Sequence, residues 1–76
     1  MIYQGVYQHY KGGHYTVLIC ARCSDNGPNE GKDVVVYVSH TTGTVCTRLA
    51  EAFTETVRSK EKPEGVPRFA LVRGWR

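Results

Sequence analysis

The segment His9-Tyr10-Lys11-Gly12-Gly13-His14-Tyr15 constrains the fold of this chain more than any other. It joins Val6-Tyr7-Gln8-His9-Tyr10 to Tyr15-Thr16-Val17-Leu18-Ile19-Cys20, two runs rich in β-branched and aromatic residues. A glycine pair between such runs can supply the positive φ angles of a tight turn, so the pattern predicts a β-hairpin. Strand alternation places Tyr7, His9 and Lys11 on one face and Val6 and Tyr10 on the other. The face with the imidazole and the ammonium is expected to be wet or functional, with Tyr10 and Tyr15 mainly core.

The remaining segments extend a β pattern. Ser24-Asp25-Asn26-Gly27-Pro28-Asn29-Glu30-Gly31 is dense in turn formers and predicts a mobile loop. Val34-Val35-Val36-Tyr37-Val38 is a short apolar run, expected to form a strand buried on both faces at the middle of the core. Thr41-Thr42-Gly43 turns the chain into Thr44-Val45-Cys46. Leu49, Phe53 and Val57 then fall four apart, which predicts one short helix over about 48–57 with Thr47 as its N-cap. A charged loop, Lys60-Glu61-Lys62-Pro63-Glu64-Gly65, precedes a final strand over 66–72, with Pro67 at its edge or start. These elements predict a mainly β fold with one short helix, built as a small, strongly bent antiparallel sheet of the SH3-like partial-barrel type.

With 76 residues, 41% of them hydrophobic and 22% charged, the chain has material for a single domain over 1–76. Its core is expected within 5–72, followed by a basic tail over 73–76. No apolar run approaches the roughly 18 residues of a membrane span, and no signal peptide is legible. Three cysteines, an odd number, suit reduced thiols, so the expected setting is cytoplasmic. The formal charge of +3 includes Arg68, Arg73 and Arg76 with no acid among them, which allows an anionic partner.

The order of features resembles the bacterial domain-of-unknown-function family 1653. The resemblance is carried by His9-Tyr10-Lys11-Gly12 with Tyr15 and Val17, Val35-Val36-Tyr37, Arg48 with Phe53, Glu55 and Val57, and Val66-Pro67-Arg68-Phe69. It runs from Gly5 to Phe69 and implies a small cytoplasmic bacterial protein or module, with no activity or cofactor attached. Where the family pattern reads Trp-x-Arg-Pro, this chain has Cys46-Thr47-Arg48-Leu49, lacking the indole and the helix-starting proline.

Two side-chain sets stand out. Cys20-Ala21-Arg22-Cys23, with His40 and Cys46, has the composition of a zinc site. A continuing strand would send Cys20 and Cys23 to opposite faces, however, and the turn-rich loop that follows offers no helix N-terminus to a thiolate. The thiols therefore read as small buried hydrophobes, and no metal is expected.

The second set is His9, Lys11, Tyr37, Arg48 and Arg68. Arginine presents a planar fork of donors, lysine a point charge and histidine a group that titrates near neutrality; anion recognition is the chemistry they share. A structural reading competes, with Arg48 supporting the helix start, Arg68 paired to Glu51 or Glu55, and Tyr37 in the core.

No Ser-His-Asp order, apolar carboxylate pair or phosphate-binding glycine loop is present, so no enzymatic activity is expected. The sequence favours a binding module for an anionic ligand such as nucleic acid. The alternative is a module for a small molecule or protein, in which Tyr7, Tyr10, Tyr15 and Tyr37 form a concave aromatic surface. Exposed strand edges also leave a homodimer open.

Overall fold

A computed structural model describes residues 2–74. The chain runs β1 (Gly5–His9), β2 (His14–Arg22), β3 (Asp33–Ser39), β4 (Val45–Leu49), α1 (Ala50–Phe53), β5 (Thr56–Val57), β6 (Val66–Pro67) and β7 (Phe69–Gly74). Five strands form one antiparallel sheet in the order β4-β3-β2-β1-β7, and β5 pairs with β6 in a second, two-stranded sheet. The architecture is mainly β with one short helix, as the sequence predicts, and the sheet stays open rather than closing into a barrel.

The hairpin forms as expected, but its faces are reversed. Tyr7 is buried, and His9 shares its side of the sheet, while Val6 lies opposite and Tyr10 is exposed. A tyrosine ring removes more apolar area from water than a valine does, so the aromatic face turns inward. Gly12 alone supplies the positive φ of the turn, at 112°, with its N–H donating to His9 O at 2.7 Å.

Strand β3 is not buried on both faces. Val35 and Tyr37 are buried while Val34, Val36 and Val38 are half-exposed, and the middle strand of the sheet is β2. A run of valines satisfies one buried face as readily as two, so composition alone does not count the layers.

The helix is much shorter than the four-residue spacing suggests. Thr47 and Arg48 belong to β4, opposite Val36 and Val35, so Thr47 is not an N-cap. Leu49 still pairs with Val34. At the far end Thr54 Oγ1 bonds back to Ala50 O at 3.0 Å, and Val57 has already joined β5 opposite Val66. The β-branched Thr54, Thr56 and Val57 favour the extended chain, so only one turn of helix survives.

The predicted last strand is divided. Val66 and Pro67 pair with β5, Arg68 crosses over, and Phe69 onward pairs with β1. Arg73 and Gly74 are part of β7, opposite Val6 and Gly5, so no tail begins at residue 73. The expected continuation of that tail, Trp75 and Arg76, lies outside the described residues.

The core is one aromatic-rich cluster: Tyr7, Val17, Val35, Tyr37, Phe53 and Phe69, with Tyr15, Cys46 and Ala50 packed against it. Phe53 from α1 and Phe69 from β7 stack nearly parallel, with centroids 4.2 Å apart. Tyr7 meets Phe53 edge-on at 5.3 Å. The helix thereby covers part of one face of the large sheet.

Candidate functional site

Phe69 sits where the two sheets meet, and the polar residues singled out from the sequence gather around it. His9 lies opposite Phe69 in the β1–β7 register, with its ring edge-on to the phenyl at 4.9 Å. Arg48 reaches from β4 and holds its guanidinium 5.7 Å from the Phe69 centroid, within cation–π range. Its Nε–H donates to Tyr37 Oη at 3.5 Å, a long bond. Tyr37 is therefore a core ring whose hydroxyl surfaces beside Arg48.

Arg68 is fixed by its backbone. Its N–H donates to Glu55 O at 2.8 Å, and its carbonyl accepts from Tyr10 N–H at 2.9 Å, so it bridges the end of α1 and the hairpin. A guanidinium N–H of Arg68 donates to Glu55 Oε1 at 3.0 Å, while its Nε is buried without a hydrogen-bond partner. Of the two acids considered as partners for Arg68, Glu55 is the one used; Glu51 pairs with Lys32 at 3.3 Å.

His9 reports on the electrostatics of this group. Burial lowers its pKa from the usual value, and the charges of Arg68, Arg48 and Lys11 lower it further. The Lys11 backbone N–H donates to His9 Nδ1 at 3.2 Å, a bond that requires this nitrogen to be unprotonated. Neutral His9, with its proton on Nε2, fits both observations.

His9, Tyr37 and Arg48 thus converge on one aromatic floor, the Phe69 ring, and Arg68, next to it in the chain, lies near enough for its charge to act on His9. Lys11 stands apart from that floor, exposed in the turn, with its ammonium 5.8 Å from the Tyr10 centroid. The concave tyrosine surface does not form: Tyr7 and Tyr37 are buried, Tyr15 is half-buried edge-on to Phe69 at 5.4 Å, and Tyr10 is on the surface.

One participant escaped the sequence reading. Phe69 was legible only as a strand residue beside Arg68, although Val-Pro-Arg-Phe already set an aromatic next to a cation. Tyr15, expected to be mainly core, is half-buried against the core with Val17 on the inner face of β2, as period-two alternation implies.

Elsewhere, a groove of about 610 Å³ opens between the N-terminal segment, β2 and α1, lined by Ile2, Gln4, Ile19, Cys20, Asp33, Ala50, Glu51 and Thr54. Gln4 Nε2–H donates to Leu18 O at 2.6 Å along it. Cys20 is exposed here rather than buried and Cys23 is only half-buried, so the reading of these two thiols as buried hydrophobes is corrected, whereas Cys46, also half-buried, packs against the core. All three are free, and among the described residues no three of His, Cys, Asp and Glu cluster closely enough to hold a metal. No described helix is long and apolar enough to cross a membrane.

A family model described as a protein of unknown function, DUF1653, matches residues 5–71. The chain belongs to the DUF1653 family. Among solved structures it is similar to the crystal structure of a DUF1653 protein from Bordetella bronchiseptica, with 35% sequence identity and a TM-score of 0.80, over 99% of this chain and 92% of that one. A comparison with curated proteins gave no match. The residues gathered around Phe69 all fall inside the matched DUF1653 span.

Proposed function

We propose that this DUF1653 chain is a non-catalytic bacterial binding module, cytoplasmic in setting, whose site holds an anionic ligand, with single-stranded nucleic acid the first candidate. One observation carries the reading: Arg48 and His9 lie against the Phe69 ring, Arg68 is near enough for its charge to act on His9, and the carboxylate paired within this group is that of Glu55. The unpartnered Nε of Arg68 is a charged donor removed from water, a state that a bound carboxylate or phosphate oxygen would relieve. Arg48 and Arg68 supply forked donors, His9 an Nε2–H, and the exposed Tyr10 beside Lys11 a ring on which a base can stack.

The test is fluorescence anisotropy with a labelled single-stranded RNA across a salt series. With Arg48, Arg68 and Lys11 each neutralising one phosphate, the logarithm of the binding constant should fall with the logarithm of salt at a slope of about −2. Arg48→Ala and Arg68→Ala should each weaken binding and flatten that slope. Absence of binding at low salt, or affinity indifferent to salt and to both substitutions, would remove nucleic acid from consideration.

A second reading, a small-molecule module, draws on the apolar groove beside Cys20. Its volume is that of a typical ligand pocket. Thermal-shift screening with acidic metabolites and apolar fragments separates the two, since a ligand seated in this groove should still stabilise the Arg48→Ala protein.

A further inference from the structure

The two histidines that the Phe69 site does not use stand side by side at one end of the sheet. Strand β2 opens at His14 directly after the Gly12-Gly13 turn, and β3 closes at Ser39 with His40 next, so antiparallel pairing brings together residues 26 apart in sequence. Tyr15 pairs with Ser39, and the His40 backbone N–H donates to His14 O at 3.0 Å, which extends the ladder by one step and sets the two histidines opposite each other. Val17 and Tyr37 point inward, so alternation puts His14, Thr16 and His40 on the outer face. There the two exposed imidazoles lie nearly stacked, with centroids 6.2 Å apart and planes at 27°.

We propose that His14 and His40 form a two-imidazole chelate for a divalent ion of the nickel, copper and zinc group, with water completing the ion's shell. Imidazole is the ligand that these metals share. An ion about 2.1 Å from one nitrogen of each ring sets the centroids roughly 5 Å apart, so the pair needs to close by about one ångström. Small rotations of two exposed side chains accomplish this. His40 is already oriented, because its Nε2 lies 2.6 Å from Thr16 Oγ1. A histidine that ligates a metal through one nitrogen is commonly held by a hydrogen bond at the other. With Nε2–H donating to the hydroxyl, Nδ1 keeps the lone pair that an ion takes.

The surroundings do not repel a cation. The row that carries the two histidines continues through Gln8 on β1 to Ala70 on β7 without a lysine or arginine, and the ammonium of Lys11, in the neighbouring turn, lies 5.8 Å from the Tyr10 centroid. Two imidazoles fall short of the four ligands of a structural zinc site, and among the described residues no third His, Cys, Asp or Glu joins them. The ion is therefore exchangeable. Bound, it ties the β1–β2 turn to the turn that follows β3, and it favours the folded chain because only there do the two rings meet.

This inference uses none of the residues around Phe69, so it can stand or fall without the anion site. The probe is Ni²⁺, which does not oxidise the free thiols as copper does. Thermal unfolding of the full chain in Ni²⁺ from micromolar to millimolar concentrations should show Tm rising with the logarithm of concentration, and a chelator should reverse the rise. His14→Ala and His40→Ala should each match the parent in metal-free Tm and lose nearly all of the rise, since one imidazole alone does not distinguish folded from unfolded chain. The double variant should lose no more than either single one, the non-additivity of two groups acting together. His40→Gln, which keeps a hydrogen-bonding amide beside Thr16, replaces His40→Ala if alanine loosens the turn. Cys20→Ser should keep the full rise. A parent Tm unmoved by millimolar Ni²⁺ would overturn the proposal. So would a rise that persists in a folded His14 or His40 variant, or one abolished by Cys20→Ser, because either places the ligands elsewhere.

Discussion

Replacing Phe53 with alanine should be the most damaging single truncation in this chain. The ring is 1% exposed, lies 4.2 Å from Phe69 in a nearly parallel stack, and takes the edge of Tyr7 at 5.3 Å. Truncating a buried phenylalanine costs about 3–5 kcal/mol through lost transfer energy and the cavity left behind. Of that, about 0.5–1.5 kcal/mol belongs to an aromatic pair beyond its area. The upper part of the range applies because α1 is a single turn, held on the sheet by this ring and too short to sustain itself. A domain of this size has a total stability of roughly 4–11 kcal/mol. The variant should therefore lie close to its unfolding midpoint without denaturant if the parent is at the low end. Urea titration followed by dichroism measures this, with Phe53→Leu as the partner variant: leucine refills most of the space and should lose clearly less. A loss below about 1 kcal/mol for Phe53→Ala, at an unchanged m-value, would refute the picture of a stack joining helix and sheet.

Gly5→Ala should cost about 1–3 kcal/mol, because Gly5 has φ 148° and a Cβ there would strike the Arg73 carbonyl oxygen and approach Gly74 Cα to 2.9 Å. Gly12→Ala, at φ 112° with open space around it, should cost less, and the reverse order in chemical denaturation would contradict the β1–β7 packing. The lowered pKa of His9 means that the unfolded chain takes up a proton the folded chain resists. Its contribution to stability is complete above the unfolded value of about 6.5 and is lost as pH falls from there through the lower folded value. His9→Gln should flatten the stability profile in that window, and identical slopes for parent and variant would exclude His9 as the source. Glu55→Gln removes the exposed partner of Arg68 and should change stability by less than about 1 kcal/mol. The same variant should tighten RNA binding in the anisotropy assay, since a competing carboxylate has gone; weaker binding would contradict an anion site at Arg68.

The strands were legible because their residues carry the signal locally. Val17, Val35 and Tyr37 are β-branched or aromatic and lie between turn formers, and each is buried as a strand residue. Which face points inward was not legible at β1, because Tyr7 and His9 alternate correctly in either orientation and only packing against Phe53 and Phe69 decides between them. The helix was overread for a related reason: Leu49, Phe53 and Val57 are all partly or fully buried, but they belong to β4, α1 and β5 in turn, and only Phe53 is part of the core cluster. A four-residue spacing then runs through three elements instead of along one helix. At the site, Arg48 and Arg68 were legible as cations, whereas the approach of Arg48 to the Phe69 ring joins residues 21 apart, a separation that no local pattern encodes.

The pairing of β1 with β7 sets the order in which this molecule can be assembled. Gly5 lies against Gly74 and His9 against Phe69, so the first strand formed must wait for the last. The β1–β2 and β3–β4 hairpins can form early from neighbouring residues, but Phe53 has no stacking partner until residue 69 arrives. Closing a loop of about 60 residues before any reward is slow compared with hairpin formation, which takes microseconds. During synthesis the three-strand and four-strand intermediates should therefore expose both the Tyr7 edge and the unfinished aromatic face, and the six residues of β7 should convert them to the native state in one cooperative step. Stopped-flow refolding of Phe69→Ala should show this as a slowed folding rate if that closure limits the reaction, and as faster unfolding alone if it does not.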